Sequence, residues 1–445
     1  MARLSRREFV GATVGTAALA GLAPCGAHAQ SRPNILFILA DDLGYGDLSC
    51  YGRPDYETPV LDKLATQGVK LTSAYAAAPV CTPTRCAFIT GRYPQRLPVG
   101  LQEPLTARSP PHLGIPDGHP TIATQLKAAG YDTALVGKWH LGWDEEFNPT
   151  RHGFDEFFGC LSGAFDFFTH MAADAGDGKS DLWENTTRVE RSGYATDLFT
   201  ERAVDYVSRR HDKPFYLSLH YNAPHAPWEG PEDAGIDHTR HGDGPMADGG
   251  SQRAYASMMR SMDSGIGRVL DALRRARIER DTLVIFTSDN GGERYSYNWP
   301  FSFQKMYLNE GGVRVPAIVR WPGVVPENRT LDFPMITMDW TASFLALAGA
   351  TAGAGYPLDG QNVLPVLTGE RQAEERAFFW RTRTRDAARV GKWKYVKDGG
   401  VEHLYDVSVD LGEKAERKND EPEVFARVKS QYDAWAAQML PRPPA

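Results

Sequence analysis

Short apolar runs, each followed by turn residues and then by a helical pattern, constrain this chain more than any other feature. Five of them read as buried strands: Asn34–Ala40, Thr133–Val136, Phe215–His220, Leu283–Thr287 and Ala317–Arg320. Runs this continuous lack the alternation of a half-solvated strand, so both faces must be covered. Strands of that kind separated by helices predict an α/β fold, with a large mixed, mostly parallel sheet flanked by helices. Thr58-Pro59 supplies an N-cap and a first helical residue, and Gly68 is the stop. A second helix, with Ile122 and Leu126 one turn apart, runs to Gly130. The longest covers about Gln252–Arg277, where Tyr255, Met259, Met262, Ile266, Val269 and Leu273 form one apolar face that reads as core packing.

A length of 445 residues exceeds one simple core, so a large domain and a smaller one are expected. The large domain is placed at residues 30–365, closing with a helical stretch at Leu331–Ala350. Residues 366–445 are expected to form a small C-terminal antiparallel-sheet domain. Its strands are read at Ala377–Thr382, Val390–Lys397 and His403–Val407, with Asp398-Gly399-Gly400 as a hairpin turn. Pro231–Gly250 is rich in Gly, Asp and His without periodicity and reads as a surface loop, with His238 and His241 solvated. The net charge is −7 and no basic stripe is present, which excludes nucleic acid as a partner.

The first 29 residues stand apart from the fold. Arg3, Arg6 and Arg7 precede an apolar stretch from Val10 to Ala23, and Ala27-His28-Ala29 offers a cleavage site. The stretch is too short to span a membrane, and no later segment spans one. Arg6-Arg7 followed by Phe9-Val10 looks like a twin-arginine export signal, so a periplasmic or secreted bacterial protein is expected. A lipoprotein reading of Cys25 is disfavoured by Pro24 before it. Cys50, Cys81, Cys86 and Cys160 remain, and their spacing matches neither a zinc pattern nor a dense disulfide framework.

Two acidic pairs follow two of the strands: Asp41-Asp42 after Asn34–Ala40, and Asp289-Asn290 after Leu283–Thr287. Ligands in open α/β sheets bind at the carboxyl ends of strands. Paired oxygen donors at two such ends suit a hard cation, Ca²⁺ or Mg²⁺, although an acidic pair after a strand also serves as a cap or turn. In Cys81-Thr82-Pro83-Thr84-Arg85, Pro83 places Cys81 at a helix N-terminus. There an unmodified thiol would be a nucleophile of lowered pKa, or else a buried structural cysteine.

Cys81–Arg85 resembles the C-x-P-x-R motif of the formylglycine-dependent sulfatases of the alkaline phosphatase superfamily. Gly130-Tyr131-Asp132-Thr133 through Gly137-Lys138-Trp139-His140 resembles their second signature, and the likeness runs over roughly residues 32–412. The resemblance implies an alkaline phosphatase-like fold and oxidation of Cys81 to formylglycine by a maturing, formylglycine-generating enzyme. It implies a metal shell of Asp41, Asp42, the modified Cys81, Asp289 and Asn290, usually around Ca²⁺, with Mg²⁺ the alternative. Arg85 would hold the formylglycine, Lys138 and Lys305 would bind sulfate oxygens, and His140 and His225 would move protons. The aldehyde hydrates to a geminal diol; one hydroxyl attacks sulfur, and the second, which serine or cysteine lacks, lets sulfate leave. His225 with Lys305 would protonate the leaving alcohol and His140 would act as base.

Thr84 stands where the family has Ser or Ala, and Cys86, directly after the motif, is read as structural. A phosphonate or phosphate ester hydrolase of the same superfamily is the alternative, and an inactive glycan-binding homologue a remote one. Lys138-Trp139-His140 favours sulfate. The expected substrate is a sulfated glycan or an aryl sulfate. Aromatic residues at Ser162–His170, with Phe165, Phe167 and Phe168, and at Tyr295–Trp299 are read equally as substrate platforms or as packing.

Overall fold

The run Asn34–Ala40 becomes β1, a central strand whose successive side chains enter two different cores. Leu36, Ile38 and Ala40 join one apolar cluster, and Ile35, Phe37 and Leu39 join the other. That alternation, with both faces dry, is why the strand reads as a continuous apolar run. The computed structural model describes residues 32–172, 179–235 and 250–443. The export segment 1–29 with Cys25, and His238 and His241, lie outside the described residues.

The further strands of the main sheet are β2 (Val69–Tyr75), β3 (Asp132–Gly137), β4 (Glu156–Cys160), β5 (Leu182–Glu184), β6 (Thr187–Arg188), β7 (Phe215–His220), β8 (Thr282–Ser288), β9 (Arg314–Arg320), β10 (Arg329–Leu331) and β11 (Met335–Ile336). Their order is β10-β2-β9-β8-β1-β7-β3-β4-β5-β6, with β11 beside β2. The middle block β8-β1-β7-β3-β4 is parallel throughout, whereas β9 runs antiparallel to both its neighbours. The sheet is thus mixed and mostly parallel, as its apolar runs predict.

Helices cover both faces: α1 (Pro59–Thr66), α2 (Cys81–Thr90), α3 (Ile122–Ala128), α4 (Ala195–Ser208), α5 (Gln252–Arg275), α6 (Glu310–Val313), α7 (Met338–Ala348), α8 (Leu364–Leu367) and α9 (Pro422–Ala436). All six apolar residues expected along α5 are buried. Each is worth about 1.5–3 kcal/mol of burial, so the stripe fixes this helix against α1 and α4. Pro59 does open α1, but the Thr58 side chain does not cap it. Its hydroxyl instead accepts the Ser49 N–H, 3.0 Å away. The stretch expected to be helical from Leu331 begins at the last residue of β10, passes through β11 and turns helical only at Met338.

The C-terminal region forms a separate four-stranded antiparallel sheet of β12 (Ala377–Arg381), β13 (Asp386–Val390), β14 (Trp393–Asp398) and β15 (Val401–Asp406). The strand expected over Val390–Lys397 is in fact two. Val390 pairs with Trp393 across a tight turn, and Gly391 there adopts φ 58°, a conformation that glycine reaches without strain. The turn after Asp398 is as expected, with Asp398 opposite Val401 and both intervening glycines at positive φ. The expected boundary at residue 366 falls inside α8. The second sheet and α9 pack on Tyr75, Ala77, Ala87, Tyr93 and Leu308 in one shared apolar cluster.

His152 carries a pH-dependent contribution to this fold. It is buried and stacks on Trp139 at a centroid separation of 5.9 Å. Burial pushes its pKa down from 6.5 to about 4, against the raising effects of the Glu146 main chain and Asp117. Between those values the unfolded chain binds the proton that the folded chain refuses. Stability is therefore complete above the unfolded pKa and falls as pH drops toward 4, by on the order of 3 kcal/mol for this group. Urea midpoints should decline from about pH 7 to about pH 4.5, and His152→Gln should flatten the decline. An unchanged slope in the variant would remove His152 from the account.

Candidate active site

Four neighbouring parallel strands, β8, β1, β7 and β3, end at one place. β1 delivers Asp41 and Asp42, β3 delivers Lys138 and His140, β8 delivers Asp289 and Asn290, and the segment after β7 delivers His225. The N-terminus of α2 adds Cys81 and, one turn on, Arg85; the loop before α6 adds Lys305. All ten residues singled out in the sequence therefore converge, and all are buried.

Their contacts form a closed network of three carboxylates and three cations. Lys138 Nζ lies 2.5 Å from Asp41 Oδ2, and Lys305 Nζ donates to Asp42. Arg85 donates from Nε to Asp289 Oδ2 (3.0 Å) and from Nη1 to the Lys138 carbonyl (2.9 Å), and its Nη2 lies 2.9 Å from Asp289 Oδ2 as an ion pair. Asp289 also accepts the Asp42 main-chain N–H at 3.1 Å, and Asp42 holds φ 62°, outside the usual range for a residue with a side chain. Burial raises Asp42, but Lys305, His225 and Lys138 outweigh it and hold the carboxyl below its ordinary range. Asp289 is pushed up to about 7 by burial and by Asp41, against Arg85. Lys305 is raised, since Asp42 and its neighbours overcome the effect of burial.

Cys81 Sγ sits 4.0 Å from Asp42 Oδ1. The lowered pKa expected for a thiol at a helix N-terminus is not found. Burial pushes it upward, and Asp41 and Asp289 add to the rise against Lys138 and Lys305. A protonated, fully enclosed thiol is a poor nucleophile. Thr84, the departure from the motif, turns its hydroxyl away from Cys81, donating to the Ala78 carbonyl (3.0 Å) and accepting the Ala78 N–H (3.1 Å).

Several oxygens in this cluster suit a cation. Asp41 Oδ1 and Asn290 Oδ1 are buried and accept no hydrogen bond. Ligand atoms of Asp41, Asp42, Cys81 and His225 lie within 4.8 Å of one another. An oxygen-rich set with unsatisfied acceptors fits a hard divalent ion. The set includes His225, which the sequence assigned to proton transfer, while both Asp289 oxygens already accept protein hydrogen bonds.

The two histidines have defined tautomers when neutral. His140 Nε2 donates to the Leu105 carbonyl at 2.8 Å, so Nδ1, buried and unpartnered, carries the lone pair. Its pKa lies well below the ordinary value because of burial and then Lys138. His225 Nδ1 donates to the Ala226 carbonyl (2.6 Å), leaving Nε2 as an acceptor 3.4 Å from Lys305 Nζ. Burial lowers His225 to about 3, with Asp42 opposing. The mobile proton of this pair thus resides on Lys305.

Three contributors escape a motif search. His220 ends β7, its Nδ1 facing the Lys138 carbonyl (3.1 Å) and its Nε2 on Ser218 Oγ (2.7 Å), beneath Arg85. A histidine closing an apolar strand run was the available signal. Glu293 approaches Lys305 to 3.8 Å. Gly163 abuts the His140 ring, where a Cβ would fall 2.4 Å from its atoms. Gly163→Ala should therefore displace the imidazole and lower kcat by on the order of tenfold or more, measurable in steady-state assays. Wild-type kcat in that variant would show that the ring position is unimportant.

The aromatic expectations divide. Phe165 and Phe167 are core residues, and Phe168 packs on Tyr194, because this segment lies against α4 rather than over the site. Trp299, by contrast, is 61% exposed and stacked on Tyr297.

The Sulfatase family model matches residues 33–350. The chain belongs to the sulfatase family. It is 36% identical to N-acetylgalactosamine-6-sulfatase of Homo sapiens, over 82% of this chain and 72% of that one. Steryl-sulfatase of Mus musculus is 34% identical, over 80% and 68%. The crystal structure of Ps i-CgsB in complex with k-i-k-neocarrahexaose matches with a TM-score of 0.82 at 30% identity, over 91% of this chain and 93% of that one. This sulfatase is accordingly a sulfuric ester hydrolase, with the alkaline phosphatase-like fold. Among the described residues no helix is long and apolar enough to cross a membrane.

Proposed function

We propose that this sulfatase removes sulfate from a sulfated glycan, using formylglycine at position 81 and a divalent cation, most simply Ca²⁺. The observation that carries the reading is the setting of Cys81. It opens a helix beside three carboxylates, with Lys138 and Lys305 positioned for an anion and unsatisfied oxygens on Asp41 and Asn290. The glycan class is supported by relatives whose names or bound molecules are sugars. The exposed Trp299 is a surface on which a sugar ring can stack.

Asp41, Asp42 and Asn290, with Asp289 and position 81, would hold the cation, and it would supply Lewis acidity at the sulfate. The formylglycine hydrate would supply the attacking hydroxyl and the second hydroxyl that allows sulfate release. Lys138 and Lys305 orient the sulfate oxygens and offset the charge that builds on them. Lys305, relayed by His225, protonates the departing alcohol. His140 accepts a proton at Nδ1 in the release step, and Leu105 fixes that tautomer. Arg85 ties Asp289, Asp41 and the Lys138 main chain together.

Maturation requires a formylglycine-generating enzyme able to accept Thr84. The twin-arginine pattern at Arg6-Arg7 supports action outside the bacterial cytoplasm, in the periplasm or secreted. Residues 366–445 serve as a C-terminal subdomain that buttresses the Lys305 loop.

Sulfate release, followed by ion chromatography over a panel of sulfated sugars and an aryl sulfate, tests the substrate class. Turnover of the aryl sulfate with none of the sugars would overturn the glycan reading. Metal analysis of the purified protein should give about one divalent ion per chain, lost in Asp41→Asn. Full metal content in that variant would remove Asp41 from the shell.

A further inference from the structure

We propose that the cleft beside Cys81, between residues 102–110 and the turn 382–385, is a subsite for a second anionic group. The group is a carboxylate or sulfate ester on the sugar next to the one losing its sulfate. The inference rests on the sulfated-glycan reading and narrows it.

The cavity measures about 390 Å³, within the range of small-molecule sites. Three of its wall segments are each one residue from the catalytic centre. Val80 precedes Cys81, and Met306 follows Lys305. Pro104 and Thr106 flank Leu105, whose carbonyl holds His140. The cavity therefore lies beside the catalytic centre, its wall continuous in the chain with Cys81 and Lys305.

The wall is cationic. Arg108, Arg383 and Arg385 line it. Arg385 is held by an ion pair with Asp398 (2.9 Å), and its guanidinium lies 4.4 Å from the centre of the Tyr307 ring. Arg108 and Arg383 are exposed, and among the described residues their guanidinium groups form no ion pair or side-chain hydrogen bond. Glu103, the acid in the wall, is already engaged: it accepts the main-chain N–H of Arg383 at 2.9 and 3.2 Å. That contact docks the 382–385 turn onto the catalytic part. The turn itself is closed by Thr382 N–H to the Arg385 carbonyl (2.9 Å) and Arg385 N–H to Thr382 Oγ1 (3.0 Å).

Two guanidinium forks free of ion pairs, on an ordered frame, can each meet two oxygens of a planar carboxylate or of a tetrahedral sulfate. Pro79, Pro104, Pro110 and Met306 add apolar surface for the face of a sugar ring. A neutral neighbouring sugar would offer the guanidinium groups only uncharged hydroxyl oxygens, which accept more weakly than a carboxylate or sulfate.

The test uses the full-length Cys81→Ala protein and calorimetric binding of three matched oligosaccharides. One carries a uronate carboxylate beside the target residue, one a second sulfate, and one only neutral neighbours. At least one anionic oligosaccharide should bind tenfold or more tightly than the neutral one. That preference should fall to near unity when Arg108→Gln and Arg383→Gln are added, both being surface changes. Comparison of the carboxylate and sulfate arms identifies the group recognised. Equal binding of all three, no binding of either anionic sugar, or a preference that survives both substitutions would overturn the subsite. The glycan reading fails separately, if the wild-type enzyme turns over only the aryl sulfate.

Discussion

Replacing Cys81 by alanine is expected to lower sulfate release by on the order of 10⁵-fold or more while leaving the fold in place. The size follows from deleting the nucleophile of a network that acts as a unit, where what remains is binding and charge stabilisation. The fold survives because the change removes one sulfur atom from a well-packed helix start, at a cost of about 1 kcal/mol. Circular dichroism and the urea midpoint check the fold, and ion chromatography checks the activity. Cys81→Ser sharpens the result. A single hydroxyl offers no second proton to remove, so any sulfate it captures cannot leave by the formylglycine route. Intact-protein mass spectrometry on that variant, incubated with substrate, reads whether sulfate is retained. Multiple turnovers by either variant would sink the assignment of position 81.

The second large effect is on stability. Lys394, in β14, is fully buried and bridges Glu310 of α6 (2.7 Å) and Glu413 (3.2 Å). Glu413 accepts the Glu310 main-chain N–H at 2.7 Å, and Glu310 also receives Arg314 (3.0 Å) and Tyr75 (2.6 Å). This network joins the second sheet to the element five residues beyond Lys305. Lys394→Met keeps the volume but leaves Glu413 buried without its cation, which should cost about 3–5 kcal/mol.

The pH dependence gives a sharper check. Burial already raises Glu413 to about 7, with Lys394 pulling the other way, so removing Lys394 raises it further. An unfolded glutamate titrates near 4.5, so between these values the folded variant binds the proton more tightly and loses stability as pH rises. The deficit in urea midpoint should therefore be larger near pH 8 than near pH 5.5, and Glu413→Gln should recover part of it. A deficit that is equal at both pH values would mean that Lys394 acts by packing alone.

How much was legible beforehand follows the range of the interactions. The parallel strands were readable because a strand covered on both faces must be apolar throughout. β2 does not stand out because Lys70 and Thr72 are only half-buried, so it lacks the continuous apolar run that marks the central strands. The expected strand Val390–Lys397 runs through the β13–β14 turn because Gly391-Lys392 is short enough to pass for a strand interior, and the rest of β13 lies outside it. For Phe165 and Phe167 the sequence leaves platform and packing equally open, because composition cannot say which side of a chain segment meets the core.

The sequence alone determined the fold class, the two acidic pairs at strand ends, the long amphipathic helix and the motif residues from Cys81 to His140. Each is a local pattern, set by side-chain periodicity or by neighbours in the chain. Only the tertiary structure decided that burial raises rather than lowers the Cys81 thiol, that His220 and Gly163 pack against the site, and that Glu103 docks the 382–385 turn beside Cys81. Those outcomes depend on groups up to 280 positions apart, brought together by packing, and solvent exclusion then sets their charge.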